Sequence, residues 1–143
     1  MENIHATCVA LNGQAVLLQG KSGSGKSDLA LRLVDEGWDL VSDDYTDLEI
    51  DGSTLFAKAP KTIEGLIEVR GIGILRIGCV PRAELKAIFE LVPFEEMERL
   101  PDPKTHAIQG YPLPVYTVYG HDASAPTKIR MALRAHAENL FIE

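Results

Sequence analysis

The sequence has 143 residues, of which 45% are hydrophobic and 24% charged, and its formal net charge is −7. This length fits a single domain, so we expect residues 1–143 to form one. The acidic balance argues against the basic face that nucleic-acid-binding proteins need. No apolar run approaches the ~20 residues that span a bilayer, and the first residues lack the features of a signal peptide. We expect a cytoplasmic protein whose partners include neither nucleic acid nor a membrane.

The first predicted elements are a hairpin and a helix. Two β-prone segments, residues 4–11 and 14–19, flank Asn12-Gly13, a dipeptide typical of two-residue hairpin turns. The second segment leads into a glycine-rich stretch. Apolar residues at helical spacing follow this stretch and predict a helix that ends at Gly37.

The next predicted strand ends in two acids. Residues 38–42 are typical of a short buried strand, and Asp43 and Asp44 follow it directly. Acids at the C-terminal end of a strand are common site residues in α/β sheets. A second hairpin is predicted over residues 48–57, around an Asp-Gly turn.

The second half of the chain has weaker signals. Residues 63–77 mix Ile, Val and Leu with three glycines, which predicts a strand with an irregular backbone. Residues 83–92 fit a strand or a helix, and we favour a strand. Four prolines in residues 100–114 predict a long loop. Ser124 is the predicted N-cap of a final helix. The apolar face of that helix is predicted to contain Ile129, Ala132, Leu133, Ala137, Leu140 and Phe141.

The glycine-rich stretch matches the phosphate-binding pattern G-x-x-x-x-G-K-[ST] in full. Its residues are Gly20, Lys21, Ser22, Gly23, Ser24, Gly25, Lys26 and Ser27. The glycines let backbone N–H groups converge on phosphate oxygens, and the helix that follows adds its positive N-terminal end. In this pattern Lys26 neutralises the β- and γ-phosphates and the Ser27 hydroxyl ligates Mg²⁺. The pattern predicts nucleotide binding, but ATPases, GTPases, small-molecule kinases and nucleotide sensors all share it.

Three features outside this loop narrow the interpretation. His5 precedes the hairpin that leads into the loop. Residues 36–44 read Glu-Gly-Trp-Asp-Leu-Val-Ser-Asp-Asp, and residues 67–75 read Ile-Glu-Val-Arg-Gly-Ile-Gly-Ile-Leu. With the loop, these features make nearly the whole chain resemble the catalytic domain of HPr kinase/phosphorylase, a bifunctional enzyme that acts on a serine of the phosphocarrier protein HPr. Residues 67–75 are the most specific match, because they look like the signature segment of that family.

The resemblance implies a fold and a reaction. The fold would be α/β, with the P-loop in a mixed, β-rich sheet flanked by helices, as in phosphoenolpyruvate carboxykinase. The reaction would be the ATP- and Mg²⁺-dependent phosphorylation of a regulatory serine on HPr. In reverse, phosphate would attack the phosphoserine and release pyrophosphate. HPr would be the partner, and longer family members assemble as hexamers, which implies a homo-oligomer.

The resemblance also assigns roles to the acidic residues. Asp44 matches the general base, which takes the proton from the target serine and returns it in the reverse reaction. Asp43 would orient Asp44 or a metal-bound water, with a solvent-facing cap as the alternative. Glu68 matches the magnesium-binding glutamate, which would ligate the metal together with Ser27.

The other implied catalytic residues are basic. His5 matches the active-site histidine, which could position the attacking oxygen near Asp44. Lys26 would stabilise the transferring phosphoryl group. Arg99 aligns with an arginine that could neutralise developing charge, with a surface ion pair as the alternative. Arg70 would pair with the Glu68 carboxylate or with phosphate.

The chain departs from the family pattern at three places, one of which is a short carboxyl-terminal end without the extra helices by which longer members grip HPr and assemble. The chain also starts almost at the histidine, so we expect a short form that lacks the amino-terminal domain of longer members. Residues 119–126 replace a glycine-arginine-asparagine segment used near the dephosphorylation step, and Lys128 or Arg130 could substitute for its cation. Two other functions remain open, namely a small-metabolite kinase, which would normally show paired arginines in a lid, and a nucleotide-sensing module without catalysis.

Overall fold

A computed structural model describes residues 1–142 of the chain. Within that range, nine strands form a mixed sheet and two more form a separate hairpin. The strands are β1 (Glu2–Ile4), β2 (Thr7–Leu11), β3 (Gln14–Gln19), β4 (Asp39–Ser42), β5 (Thr46–Asp51), β6 (Thr54–Lys58), β7 (Leu66–Val69), β8 (Gly73–Arg76), β9 (Ala83–Leu91), β10 (Lys104–Ile108) and β11 (Tyr111–Val118). The helices are α1 (Lys26–Asp35) and α2 (Ala125–Glu138), with short 3₁₀ turns at Lys61–Ile63 and Phe94–Glu96. Neither α-helix of this range has the length and apolar character needed to cross a membrane.

The centre of the main sheet is built from parallel strands. The strand order is β1-β5-β6-β9-β3-β2-β4, and β11 also pairs with β9. Strand β9 runs parallel to both β3 and β11. Strand β4 is antiparallel to β2, which is antiparallel to β3, so β4 points the same way as β3. The C-terminal ends of β3, β4, β9 and β11 therefore meet at one edge of the sheet.

Both faces of the sheet are buried. Helices α1 and α2 cover one face through Leu29, Leu33, Ile129 and other apolar side chains. On the opposite face, apolar side chains of the central strands pack with those of the β5–β6 and β10–β11 hairpins, which belong to the same sheet. Strand β3 contributes alternate residues to the two cores, which is why its sequence Ala-Val-Leu-Leu is continuously apolar.

Most of the predicted elements of the first half are confirmed. The β2–β3 hairpin turns at Asn12 and Gly13, whose φ angles are 52° and 78°. Helix α1, strand β4 and the β5–β6 hairpin lie where they were expected. Residues 83–91 form strand β9, as favoured over a helix.

The prediction of one irregular strand over residues 63–77 is wrong. These residues form the β7–β8 hairpin, which pairs Leu66 with Arg76 and stands apart from the main sheet. The turn is made possible by Gly71, with φ 86°, and is closed by a hydrogen bond from the Ile72 N–H to the Val69 carbonyl at 2.9 Å.

The prediction of a long loop over residues 100–114 is also wrong. Strands β10 and β11 pair there as an antiparallel hairpin around Gln109 and Gly110, both with positive φ. Pro112 and Pro114 are tolerated because they are two residues apart, so their nitrogens lie on one side of β11. Strand β9 pairs with β11 only from Val115 onward, so no ladder hydrogen bond is lost on that side.

The final helix begins as predicted but ends early. Ser124 occupies the N-cap position, although its side chain makes no capping hydrogen bond. Asn139 adopts a left-handed conformation, with φ 54°, and ends the helix. Leu140 and Phe141 therefore lie beyond the helix and are exposed, whereas Ile129 is fully buried.

Candidate active site

The candidate site lies where β3 ends and α1 begins. Gly23 and Gly25 have φ angles of 85° and 97°, in the left-handed region that glycine tolerates best. Gly25 is the N-cap of α1, and no side chain caps the helix there. The first N–H groups of α1 are therefore available to an anion, which the positive end of the helix would also attract.

Lys26 is folded into the loop that precedes it. Its side chain is 8% exposed, and Nζ donates hydrogen bonds to the carbonyls of Gly20 at 2.6 Å and Lys21 at 3.3 Å. Within residues 1–142, Lys26 forms no ion pair with a carboxylate. A buried ammonium that is held only by carbonyls keeps its positive charge available to a phosphate group.

Asp43 joins three parts of the structure. Its Oδ1 accepts hydrogen bonds from the hydroxyls of Ser27 at 2.7 Å and Thr7 at 3.2 Å. Its Oδ2 accepts one from the Glu68 N–H at 3.1 Å. The carboxylate thus links α1, β2 and β7. It is 8% exposed, so the alternative of a solvent-facing cap is wrong.

Asp44 points towards solvent instead. Its side chain is 61% exposed, and Oδ1 lies 2.9 Å from His5 Nε2. The backbone at Asp44 is left-handed, with φ 71°, and its N–H donates to the Thr7 hydroxyl at 3.0 Å. The His5 ring stacks on Tyr45 with centroids 4.9 Å apart. These contacts hold the carboxylate of Asp44 at the surface of a cavity.

That cavity, of about 470 Å³, brings most of the predicted site residues together. It is lined by His5, Ser22, Gly23, Gly25, Lys26, Ser27, Asp28, Leu31, Asp44, Glu68, Val69, Arg70 and His121. The loop residues Gly20, Lys21 and Ser24 line a second cavity beside it. Arg99 is exposed and lines neither cavity. Its catalytic role stays a prediction.

Sequence reasoning missed Thr7, which holds both acids. Its hydroxyl donates to Asp43 and accepts from the Asp44 N–H. The side chain is fully buried, so it has no alternative partner in water. The chain bends at His5 and β2 begins only at Thr7, so the alternation of side chains along an extended strand could not have indicated this role.

Sequence reasoning singled out residues 119–126 but missed that the turn after β11 packs on the phosphate loop. His121 lies against the phosphate loop, since a Cβ added to Gly25 would be 3.0 Å from its Cε1 atom. Gly120 packs more closely still, because a Cβ there would lie 2.7 Å from the Ser24 carbonyl oxygen. Arg32 of α1 donates to the carbonyl oxygens of Gly120 and, at 3.1 Å, of Asp122. Helix α1 thereby fixes this turn over the loop.

Neither of the cations proposed to substitute in this segment reaches the loop. Lys128 pairs with Asp122 at 3.3 Å, and neither Lys128 nor Arg130 lines the two cavities. The backbone N–H of Ser124 and then the Lys128 ammonium hold the pKa of the Asp122 carboxyl below its ordinary value. His121 is the side chain of this segment that reaches the loop.

The donor atoms around Ser27 suit a hard cation. The Ser27 hydroxyl and the Glu68 carboxylate offer oxygen ligands in one cavity. Within residues 1–142, no cluster of three or more His, Cys, Asp or Glu side chains could hold a metal. Mg²⁺ commonly binds through one or two protein oxygens, with water and substrate phosphates as the other ligands, so these residues could hold it together with a nucleotide.

An uncapped helix N-terminus, a buried lysine and an exposed carboxylate around one cavity are typical of proteins that bind a phosphorylated ligand and transfer a phosphoryl group. Comparison with known families is more specific. The family model described as HPr Serine kinase C-terminal domain matches residues 1–119. The chain belongs to this family.

Named relatives and a solved structure agree with this assignment. The chain is 39% identical over 123 residues to the HPr kinase/phosphorylase of Acidovorax sp. (strain JS42), an alignment that covers 77% of this chain and 39% of that protein. It is 47% identical over 75 residues to the protein of that name from Bacillus subtilis (strain 168), covering 52% of this chain and 24% of that one. This chain thus spans less than half the length of these relatives.

The solved structure is that of the Hpr(Ser) kinase/phosphatase from Coxiella burnetii. It superimposes with a TM-score of 0.87 at 29% identity, covering 98% of this chain and 93% of that chain. The match confirms the predicted mixed α/β architecture, with a β-rich sheet and few helices.

Proposed function

We propose that this protein is an ATP- and Mg²⁺-dependent serine kinase that phosphorylates HPr. One observation carries the proposal: the uncapped N-terminus of α1, the buried Lys26 and the exposed Asp44 face a single cavity. The first two groups suit a triphosphate, and the third suits a hydroxyl that must lose its proton. Membership of the family supports HPr as the protein that carries this hydroxyl.

The phosphates would lie on residues 20–27, with the γ-phosphate directed towards Asp44. Lys26 would exchange its contacts with loop carbonyls for phosphate oxygens. Ser27 and Glu68 would hold Mg²⁺, which when bound neutralises charge on the β- and γ-phosphates. The Ser24 hydroxyl oxygen is buried without a hydrogen-bond partner among residues 1–142. An unpaired polar atom inside the loop fits a site that a polar ligand or its water completes.

Asp44 would act as the general base. Its carboxylate takes the proton of the target serine hydroxyl while the serine oxygen attacks the γ-phosphorus. The bond between that phosphorus and the β–γ bridging oxygen breaks, and ADP leaves with its electron pair. His5, 2.9 Å away and stacked on Tyr45, holds the carboxylate in the orientation that this step needs.

The reverse reaction can use the same residues. Inorganic phosphate would attack the phosphoserine, Asp44 would return the proton to the serine oxygen, and pyrophosphate would be released. Relatives named HPr kinase/phosphorylase support this direction. In both directions Asp43 would act as a positioning residue, because it holds Ser27 and the backbone of Glu68.

The proposal includes the setting of the reaction. Residues 1–143 would act as one catalytic domain with a P-loop fold related to that of phosphoenolpyruvate carboxykinase. The domain would work in the cytoplasm and assemble with copies of itself, as the longer members do. The Arg99 guanidinium would approach the phosphoryl group only if the segment between the Phe94–Glu96 turn and β10 changes position.

The test is phosphorylation of HPr with γ-labelled ATP and Mg²⁺. Wild-type HPr is compared with an HPr variant in which the target serine is replaced by alanine. Label on the wild-type protein alone is the expected result. Binding of ATP without label on either HPr would overturn the kinase proposal in favour of a nucleotide sensor. If label appears, adding phosphate should release pyrophosphate from phosphorylated HPr.

A further inference from the structure

A second cavity, of about 570 Å³, lies beside the phosphate loop. Its walls include residues 19–24, which begin at the last residue of β3, and residues 90–96, which begin at the C-terminal end of β9. Because β9 and β4 lie on opposite sides of β3 in the sheet, this cavity is on the far side of the loop from Asp44. We propose that it receives the nucleobase and ribose of the bound nucleotide, an inference that rests on the proposed function.

The two cavities adjoin each other at the phosphate loop. Both are lined by Ser22, Gly23 and His121. A triphosphate whose γ-phosphate faces Asp44 must leave the loop at its other end, on the β9 side. The second cavity lies at that end, so it is placed to receive the ribose and base.

The charges of the second cavity disfavour phosphate. Among the described residues that line it, Lys21 supplies the one Lys or Arg charge, whereas Glu90, Glu95 and Glu96 supply carboxylates. Glu90 is paired with Lys104 at 2.9 Å. Carboxylates repel phosphate but accept hydrogen bonds from the hydroxyl groups of a ribose or the amino group of a base. The uncharged end of a nucleotide therefore fits here.

The apolar part of this cavity is aromatic. The Phe94 and Tyr119 rings lie 5.8 Å apart at 74°, and the Tyr119 and His121 rings lie 5.6 Å apart, also at 74°. Phe94 is 69% exposed, although it is a large apolar side chain. The buried side chain of Leu91 lies in the same wall. An exposed ring beside a phosphate site offers a stacking surface to a planar base.

A comparison of nucleotide binding with tripolyphosphate binding distinguishes the contributions of the two cavities. Isothermal titration of wild type and of Phe94→Ala with ATP, ADP and tripolyphosphate should show about tenfold weaker ATP and ADP binding in the variant, the effect of losing one stacked base. Tripolyphosphate, which has no base, should bind both proteins equally. Phe94→Trp should restore nucleotide affinity.

Ile74→Ala is the matched control, because Ile74 is 71% exposed and lines neither cavity. It should leave all three affinities unchanged. Equal ATP affinity of Phe94→Ala and wild type, or an equal loss for ATP and tripolyphosphate, would overturn the inference. The inference would also be overturned if the wild-type protein bound ATP no more tightly than tripolyphosphate. These titrations contain no HPr, so an absence of HPr phosphorylation would count against the kinase proposal and leave this assignment standing.

Discussion

Asp43 and Asp44 are neighbours in the chain but lie in different surroundings. Asp43 is 8% exposed and accepts hydrogen bonds from groups of α1, β2 and β7. Asp44 has a side chain that is 61% exposed and a single histidine at 2.9 Å. A buried carboxylate whose oxygens are already bonded cannot turn to a substrate without breaking those bonds, whereas an exposed one can. The comparison supports the proposal that Asp43 positions the site and that Asp44 takes part in the chemistry.

The largest expected effect is that of Asp44→Asn on the reaction. An amide cannot accept the serine proton, so transfer to HPr should slow by about 10²- to 10⁴-fold. ATP affinity and the midpoint of thermal unfolding should stay at the wild-type values, because the side chain is exposed. Initial rates with labelled ATP measure the effect. A wild-type rate in this variant would exclude Asp44 as the base.

The next effect is that of Asp43→Asn on stability. In the variant, the amide nitrogen would face one of the O–H or N–H groups that now donate a hydrogen bond to the carboxylate. A buried polar group without a partner costs about 1–3 kcal/mol. The free energy of unfolding in urea should fall by that amount. Asp44→Asn serves as the matched control and should leave it unchanged. Equal free energies of unfolding for the two variants would contradict the expected difference between the buried Asp43 and the exposed Asp44.

Thr7→Val tests the residue that joins the two acids. The variant keeps the shape of the side chain but leaves the Asp44 N–H and the Asp43 Oδ1 without the hydroxyl. We expect a loss of about 1 kcal/mol in the free energy of unfolding. Thr7→Ser keeps the hydroxyl and should retain most of the stability. If both variants lose the same amount, packing of the methyl group rather than the hydrogen bonds is what Thr7 supplies.

Asp122 provides a partly exposed carboxylate that lies outside both cavities. Because its pKa is lowered in the folded state, it stabilises the fold above its unfolded-state pKa, and this contribution is lost as the pH falls through the folded-state value. Asp122→Asn should therefore be less stable than wild type at neutral pH and equally stable in acid, as measured by urea unfolding. Its rate of transfer should match wild type. A slower transfer rate in Asp122→Asn would show that a carboxylate outside both cavities also affects the reaction, so that solvent exposure alone does not distinguish Asp44 from Asp122.

The elements predicted correctly are those whose signals are local. The turn at Asn12 and Gly13 needs only two residues that tolerate positive φ, and both are neighbours in the chain. Residues 100–114 were wrongly predicted as a loop because proline is excluded from the interior of a sheet but tolerated at an edge. Whether Pro112 and Pro114 lie at an edge depends on where β9 starts to pair, and this is a property of the whole sheet.

For the site, the sequence by itself determined the phosphate loop, the paired acids and the family resemblance, because each resides in a continuous run of residues. Only the tertiary structure decided which acid is buried, since Asp43 is held by groups from three separate elements. It also decided that Arg32 holds the turn at Gly120, a residue 88 positions away. The partners of Arg32 are backbone carbonyls, which every residue carries, so no sequence pattern can identify them before the chain is folded.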